Sequence, residues 1–426
     1  MASLSLPVFH VVLLGLLIGT QALFTALAIR NVRYSAARVQ TERDWLAEEL
    51  EIEDPADIIA YLRAKTGLSQ LQSWIGLTIL LLILYGGILT DVVVLLEAVD
   101  VGPIVAGMVF FVGVTLAMQL FSMPFDLVDT FVIEELFEFN TQTPDTWIRD
   151  AVVGLVLSML LTALIVGAIL AFIVVLPTWW WVAGAAFFLG FTIVMQVVYP
   201  RVIAPLFNEF ERIDDGELRT AIEAVFERAG FRCEEIYTMD ASRRSTHVNA
   251  YFVGFGRTKR VVLFDTLVDR FGREQIQSVL AHELAHWKER HVWKGIGLGT
   301  IRVTVVLYVL WYLLSGGWLT TMFGISDAAV YAGLFIGLVL VTPLLQLSAP
   351  LVNRISLAHE READRFAAEV MEDPEPMAAA LATLASENLA NPFPEPLYAA
   401  FHYSHPPIPE RIRRLRSQSL ADQEPT

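Results

Sequence analysis

The residues that could do chemistry stand first in the string His282-Glu283-Leu284-Ala285-His286. On a helix, positions four apart share a face, so the two imidazoles can aim at one metal ion. Glu283 lies beside that point, where a carboxylate can take a proton from a water polarised by zinc. A hydrolytic zinc takes three protein ligands and keeps one position open. Cys233 is the only cysteine, which excludes a multi-thiolate site and any intrachain disulfide. The third ligand must therefore come from elsewhere, and the charge-rich helix over 356–364 offers it. Glu360 and Asp364 share a face there, so Glu360 can complete the set while Asp364 accepts the free N–H of a ligand histidine. His359 and Glu362 are rivals that point away from that face. The bland alternative is an ordinary helix with two surface histidines.

The elements that must position these residues are membrane helices. Hydrophobic residues make up 55% of the chain and charged ones 18%, and the mean hydropathy is +0.53, outside the range of a soluble domain. Seven stretches are apolar enough to cross a bilayer: 8–29, 71–95, 103–121, 151–176, 179–198, 295–322 and 329–349. Leu176-Pro177-Thr178 before Trp179-Trp180-Trp181 reads as a turn with an interfacial aromatic belt. The first stretch lacks a basic lead and a small-residue cleavage site, so it reads as a retained helix.

Charge sets the orientation. Segments 1–7, 96–102, 177–178 and 323–328 contain no Lys or Arg, whereas the alternating segments hold nearly all of them. The positive-inside rule then puts the N-terminus outside, and the 199–294 insert and the C-terminal tail in the cytoplasm. The net charge of −16 comes largely from runs such as Glu48 to Asp54, read as solvated helix faces. With no concentrated basic stripe with interleaved aromatics, the charge argues against nucleic acid as a partner.

Four regions follow: a five-helix membrane region over 1–198, a cytoplasmic α/β insert over 199–294, two further spans over 295–350, and cytoplasmic helices over 351–426 that complete the metal site. Inside the insert, 216–230 has helical periodicity with a Gly stop, and 235–239, 248–255 and 260–264 read as strands. Gly254 and Gly256 punctuate a hairpin between the last two. The helix bearing His282 is expected from Arg273 onward, running toward the sixth span, and 417–426 reads as a frayed tail.

Ordered strings across most of the chain closely resemble one family, the zinc-dependent multispanning type I CaaX prenyl proteases, gluzincin endopeptidases. The resemblance lies in Phe131 to Thr143, Ile203 to Asn208, Asn249 to Phe252, Val262 to Leu267, His282 to Lys288, Glu360 with Ala363-Asp364, and His402 to Pro407 ending in Glu410-Arg411. It implies a mainly α fold: seven membrane helices around an intramembrane chamber, with a small cytoplasmic α/β zinc metalloprotease domain. It implies one Zn2+ per chain on His282, His286 and Glu360, with Glu283 as general base and Asp364 in support. Asn249, with Ala250 and Tyr251 in the same strand, would hold substrate backbone, in keeping with an extended peptide adding to a sheet edge. His405 would stabilise the oxyanion and Arg411 would support the site. Arg302, about two turns into the sixth span, is expected to line the chamber; the alternative is snorkelling to the headgroups.

The expected function is peptide-bond hydrolysis in the membrane, with removal of the C-terminal tripeptide after a prenylated cysteine as the family's reaction. Broader cleavage of membrane-associated peptides is the alternative within the same class; a non-catalytic binding or transport protein is the alternative outside it. The expected partners are a peptide or protein substrate and the bilayer, the chain acting as a monomer. The expected location is the cytoplasmic membrane of a prokaryote.

Overall fold

The computed structural model describes residues 6–52, 54–231, 235–253 and 260–423. Helix α1 (Leu6–Thr41) passes through α2 (Arg43–Glu49) to α3 (Ala56–Tyr85), α4 (Ile88–Val99) and α5 (Pro103–Val128), which a π-helical stretch, Asp129–Glu134, prolongs. Next come α6 (Pro144–Val175), α7 (Trp180–Val198), a second π-helical stretch (Tyr199–Ile203) and the single turn α8 (Ala204–Phe207). The insert holds β1 (Phe210–Arg212), α9 (Glu217–Arg228), β2 (Glu235–Met239), β3 (Ala250–Val253), β4 (Arg260–Phe264), α10 (Asp265–Arg270) and α11 (Arg273–Lys288). The chain returns through α12 (His291–Leu314), α13 (Trp318–Met322) and α14 (Val330–Leu347). It ends in α15 (Ala349–Met371), α16 (Glu375–Glu387), α17 (Pro396–His402) and α18 (Ile408–Gln423).

Among the described residues, seven helices are long and apolar enough to span a membrane: α1, α3, α5 with its π stretch, α6, α7 with α8, α12 and α14. Their packing order closes on itself: α1, α14, α12, α7, α6, α5, α3 and back to α1. Two cores seal this ring. At one end Phe9, Leu13, Phe110, Leu170, Leu310 and Tyr331 pack together. Gly107 permits this closure, since a Cβ there would overlap Leu170 and the Tyr331 side chain. At the other end Val39, Leu46 and Ile58 join a core shared with α9, α11, α15 and α16.

Between the two cores α3, α5, α6, α7 and α12 bury almost nothing, while α1 keeps Thr20, Leu27, Ala28 and Asn31 buried. α3 has no buried residue between Ile59 and Leu84, α6 none between Thr146 and Ile169, and α12 none between His291 and Leu307. A solid bundle would bury an inward stripe along the whole span. At 1.5 Å per residue the bare stretch of α3 is about 37 Å long. The ring is therefore hollow.

The sheet order is β1-β2-β4-β3, with β2 and β4 parallel and the other pairs antiparallel. This leaves β3 at an edge, facing α11.

Several expectations need correction. The second span starts at Ala56 and ends at Tyr85; Gly87 turns left-handed at φ 85°, so the apolar run to residue 95 belongs to a separate helix. α11 does not run on into the sixth span, because Arg290 adopts φ 57° and breaks the helix at Glu289–Arg290. The strand β1 was not foreseen, being only three residues long with two of them exposed. The tail is helical through Gln423 rather than frayed. Cys233 and the Gly254–Gly256 join lie outside the described residues.

Candidate metal centre

His282 and His286 project from one face of α11 toward Glu360 on α15, and these two helices pack closely along their length. His282 Nε2 and His286 Nε2 are 3.4 Å apart. His282 Nε2 lies 3.3 Å from Glu360 Oε2, and His286 Nε2 lies 3.4 Å from Glu360 Oε1. Ligands about 2.1 Å from a tetrahedral centre stand about 3.4 Å apart, so the three donors are spaced as one zinc ion requires. A second observation agrees: Glu360 Oε2 is buried without an accepted hydrogen bond, though His405 Nδ1 is only 2.7 Å from it. Among the described residues this is the one cluster of His, Asp and Glu donors that could hold a metal.

The surroundings favour a cation. His282 Nδ1 faces Asp364 Oδ1 at 3.0 Å, and Asp364 in turn takes a two-pronged bond from the buried Arg411, Nε at 2.9 Å and Nη2 at 2.5 Å. Burial alone would raise the Asp364 carboxyl, but the bond from His282 and the Arg411 charge hold it near 2. Burial opposes charging of His282, yet Asp364 and Glu360 lift it to about 9. Glu360 is held far below the usual carboxylate range, its contacts with His282 and His405 outweighing its burial. Burial and the neighbouring His282 push His286 down to about 4, leaving it neutral and able to coordinate. Glu283 is pushed up, first by its burial, with the Glu360 charge adding to it.

Glu283 borders two clefts. One, of about 480 Å³, is lined by Asn249, Ala250, His282, His405 and Arg411, with an apolar floor that includes Phe271 and Met377. The other, of about 310 Å³, is bounded by Phe252, His286, His291 and His359. The edge strand β3 runs beside both. Asn249 precedes it with an exposed side chain, and Ala250 is its first residue.

The structure thus brings together His282, Glu283, His286, Glu360, Asp364, Arg411, His405, Asn249 and Ala250. It does not bring in the Tyr251 side chain. Successive strand residues point to opposite faces, and Tyr251 packs with Met239 and Phe264 on the far face of the sheet, its hydroxyl 3.8 Å from Met239 Sδ. Phe252 lines the site instead. Arg302 is exposed and donates from Nη2 to the Leu345 carbonyl at 3.2 Å, between the sixth and seventh spans. His359 and Glu362 lie outside the donor set and face His291: His359 stacks on its ring, and Glu362 Oε2 lies 2.9 Å from its Nε2.

One network was not read from the sequence. Glu134 Oε1 accepts from Tyr61 Oη at 2.7 Å and from Lys65 Nζ at 2.8 Å, while Oε2 lies 3.2 Å from His247 Nε2. Phe139 stacks on the His247 ring, and Thr246 N donates to the Phe139 carbonyl at 3.1 Å. The Phe131 to Thr143 string thereby clamps the segment that leads into Asn249 and β3. The string itself was visible; its contacts, 69 to 113 residues away in sequence, were not.

A sheet edge laid past a carboxylate and a metal-competent triad, on a hollow ring of membrane helices, is equipped to cut peptides at a membrane. The molecule is a multi-pass integral-membrane metalloprotease. Residues 37–209 match the family described as CAAX prenyl protease N-terminal, five membrane helices, and residues 212–419 match peptidase family M48. The chain is 38% identical over 319 residues to the CAAX prenyl protease 1 homolog of Oryza sativa subsp. japonica, covering 72% of each protein. It is 31% identical over 330 residues to CAAX prenyl protease 1 of Saccharomyces cerevisiae, covering 73% of this chain and 72% of that one. The crystal structure of S. mikatae Ste24p superposes with a TM-score of 0.86 at 26% identity, over 95% of this chain and 98% of that one. The chain belongs to the CAAX prenyl protease 1 family of M48 metallopeptidases.

Proposed function

We propose that this protein is a zinc endopeptidase that removes the C-terminal tripeptide from membrane-associated chains ending in a prenylated cysteine. His282, His286 and Glu360 would hold the zinc. The donor spacing of 3.3–3.4 Å carries that assignment. Bound there, zinc would supply Lewis acidity and lower the pKa of water.

The protein groups do the rest. Glu283, raised by burial, takes a proton from the attacking water and returns it to the leaving amine. Asn249 and the free edge of β3 hold the substrate as an added strand, so that its scissile carbonyl is fixed beside Glu283. His405, next to Glu360, donates toward the oxyanion. Asp364 and Arg411 fix the tautomer and plane of His282. The relatives' names and the hollow ring support a lipidated substrate, since a chamber within the membrane can house a prenyl chain beside the cleft.

The positive-inside pattern supports a catalytic face in the cytoplasm and an N-terminus outside. A prokaryotic cytoplasmic membrane and a monomeric state are part of this proposal, the second in keeping with three metal donors that all come from one chain. The test is cleavage of one C-terminal peptide with and without a farnesyl group on its cysteine, using detergent-purified protein beside Glu283→Ala. Preference for the farnesylated peptide is expected. Equal cleavage of both would overturn the prenyl assignment and leave a broader membrane endopeptidase.

A further inference from the structure

The three donors of the triad are not supported alike. His282 leans on the buried Asp364–Arg411 pair, whereas the other nitrogen of His286 meets an imidazole. Its Nδ1 lies 3.1 Å from Nδ1 of His291, whose Nε2 lies 2.9 Å from Glu362 Oε2. His291 is 6% exposed, and His359 stacks on its ring at 3.9 Å between centroids and 13° between planes. We infer that His291 and Glu362 form a directed hydrogen-bond relay that positions His286 for the metal, with His359 fixing the plane of the middle ring.

The direction of the relay follows from valence. Coordination through Nε2 leaves the proton of a neutral His286 on Nδ1, which must donate. His291 Nδ1 must then accept, so a neutral His291 carries its proton on Nε2. That N–H points at Glu362 Oε2, an acceptor. Each ring is left with one tautomer, and the chain ends on a carboxylate.

The backbone also fits. On an unbroken helix His291 would sit five residues from His286, about 140° around the axis and facing away from it. The left-handed Arg290 interrupts the helix between them and turns His291 back onto His286. The break between α11 and the sixth span thus has a use at the metal centre, and so does Glu362, whose carboxylate the relay needs at its end.

The inference rests on His286 being a metal ligand, and the experiment separates the two. Zinc affinity would be measured by chelator competition on the full-length protein in detergent, together with the unfolding temperature of the metal-stripped form. His291→Phe is expected to weaken zinc binding about 10- to 100-fold while leaving the stripped protein's unfolding temperature unchanged. Glu362→Ala is expected to weaken it less, since Glu362 is 42% exposed, and to have no further effect in a His291→Phe background. Unaltered zinc affinity in His291→Phe would overturn the relay, as would an equal loss of stability in the stripped form. Additive effects of the two substitutions would also overturn it. Should His291→Phe fail to fold, Glu362→Ala and Glu362→Gln decide alone: the relay requires weaker binding in the first and partial recovery in the second. Failure of the wild-type chain to bind zinc would instead remove the ligand assignment itself.

Discussion

At the scale of the residue, two glutamates with opposite proton affinities occupy one centre. Glu283 is raised by burial, while Glu360 is held far below the ordinary range by His282 and His405 despite its burial. The raised group suits proton transfer and the depressed one suits ligation. Substitution should separate the roles. Glu283→Gln is expected to lower kcat at least 100-fold with zinc stoichiometry by elemental analysis unchanged; metal loss on that change would mean the base has been misassigned. Glu360→Ala is expected to lose the metal. Stoichiometric zinc in that variant would point to His359 or Glu362, which the structure turns toward His291 instead. Asp364→Ala leaves the buried Arg411 unpaired and His282 unanchored, so about 3–5 kcal/mol of stability should go with it, read as a lowered unfolding temperature with or without metal.

At the scale of the element, legibility in the sequence depended on how local each signal was. The helix of His282 and His286 was readable because four residues of spacing make one face, and the pairing of Glu360 with Asp364 followed from the same period. The strands 235–239 and 260–264 coincide with β2 and β4, since β-branched and apolar runs of that length have few other uses. The side chain of Tyr251 lies on the far face of the sheet, because alternation fixes which residues share a face but not which face meets α11. His247, Glu134 and Asn388 were missed because they make a site only through long-range contacts. His247 touches Glu134 at 3.2 Å and Asn388 Oδ1 at 3.0 Å, and Asn388 also receives Val248 N at 3.2 Å. The loop before β3 is therefore tied to α3, to the π stretch after α5 and to the end of α16. His247→Leu should raise KM roughly tenfold by loosening Asn249, a loss in keeping with one charge-assisted hydrogen bond, with kcat and zinc content little changed. A normal KM would show that β3 holds its place without the membrane helices.

At the scale of the whole molecule, the distribution of burial matters more than its amount. Hydrophobic cores close both ends of the ring and leave the middle of α3, α6 and α12 bare. The catalytic face lies at the end where α1 runs past the bilayer: Ser35 Oγ donates to the Phe393 carbonyl at 2.9 Å, and Asn31 Oδ1 accepts from Glu395 N at 2.8 Å. Apart from Arg302, the Lys and Arg side chains belong to segments that the charge pattern assigns to that side. An intramembrane guanidinium is costly unless it meets water or a partner, and among the described residues the Leu345 carbonyl meets one of its five N–H donors. The remaining donors require water, which a hollow ring can supply at that depth. Arg302→Cys in a Cys233→Ser background should therefore react with a membrane-impermeant thiol reagent, and a soluble peptide substrate should slow that reaction by occupying the cleft. Complete protection of the introduced thiol in the ligand-free protein would place position 302 against lipid and remove the water-filled chamber from the account of this enzyme.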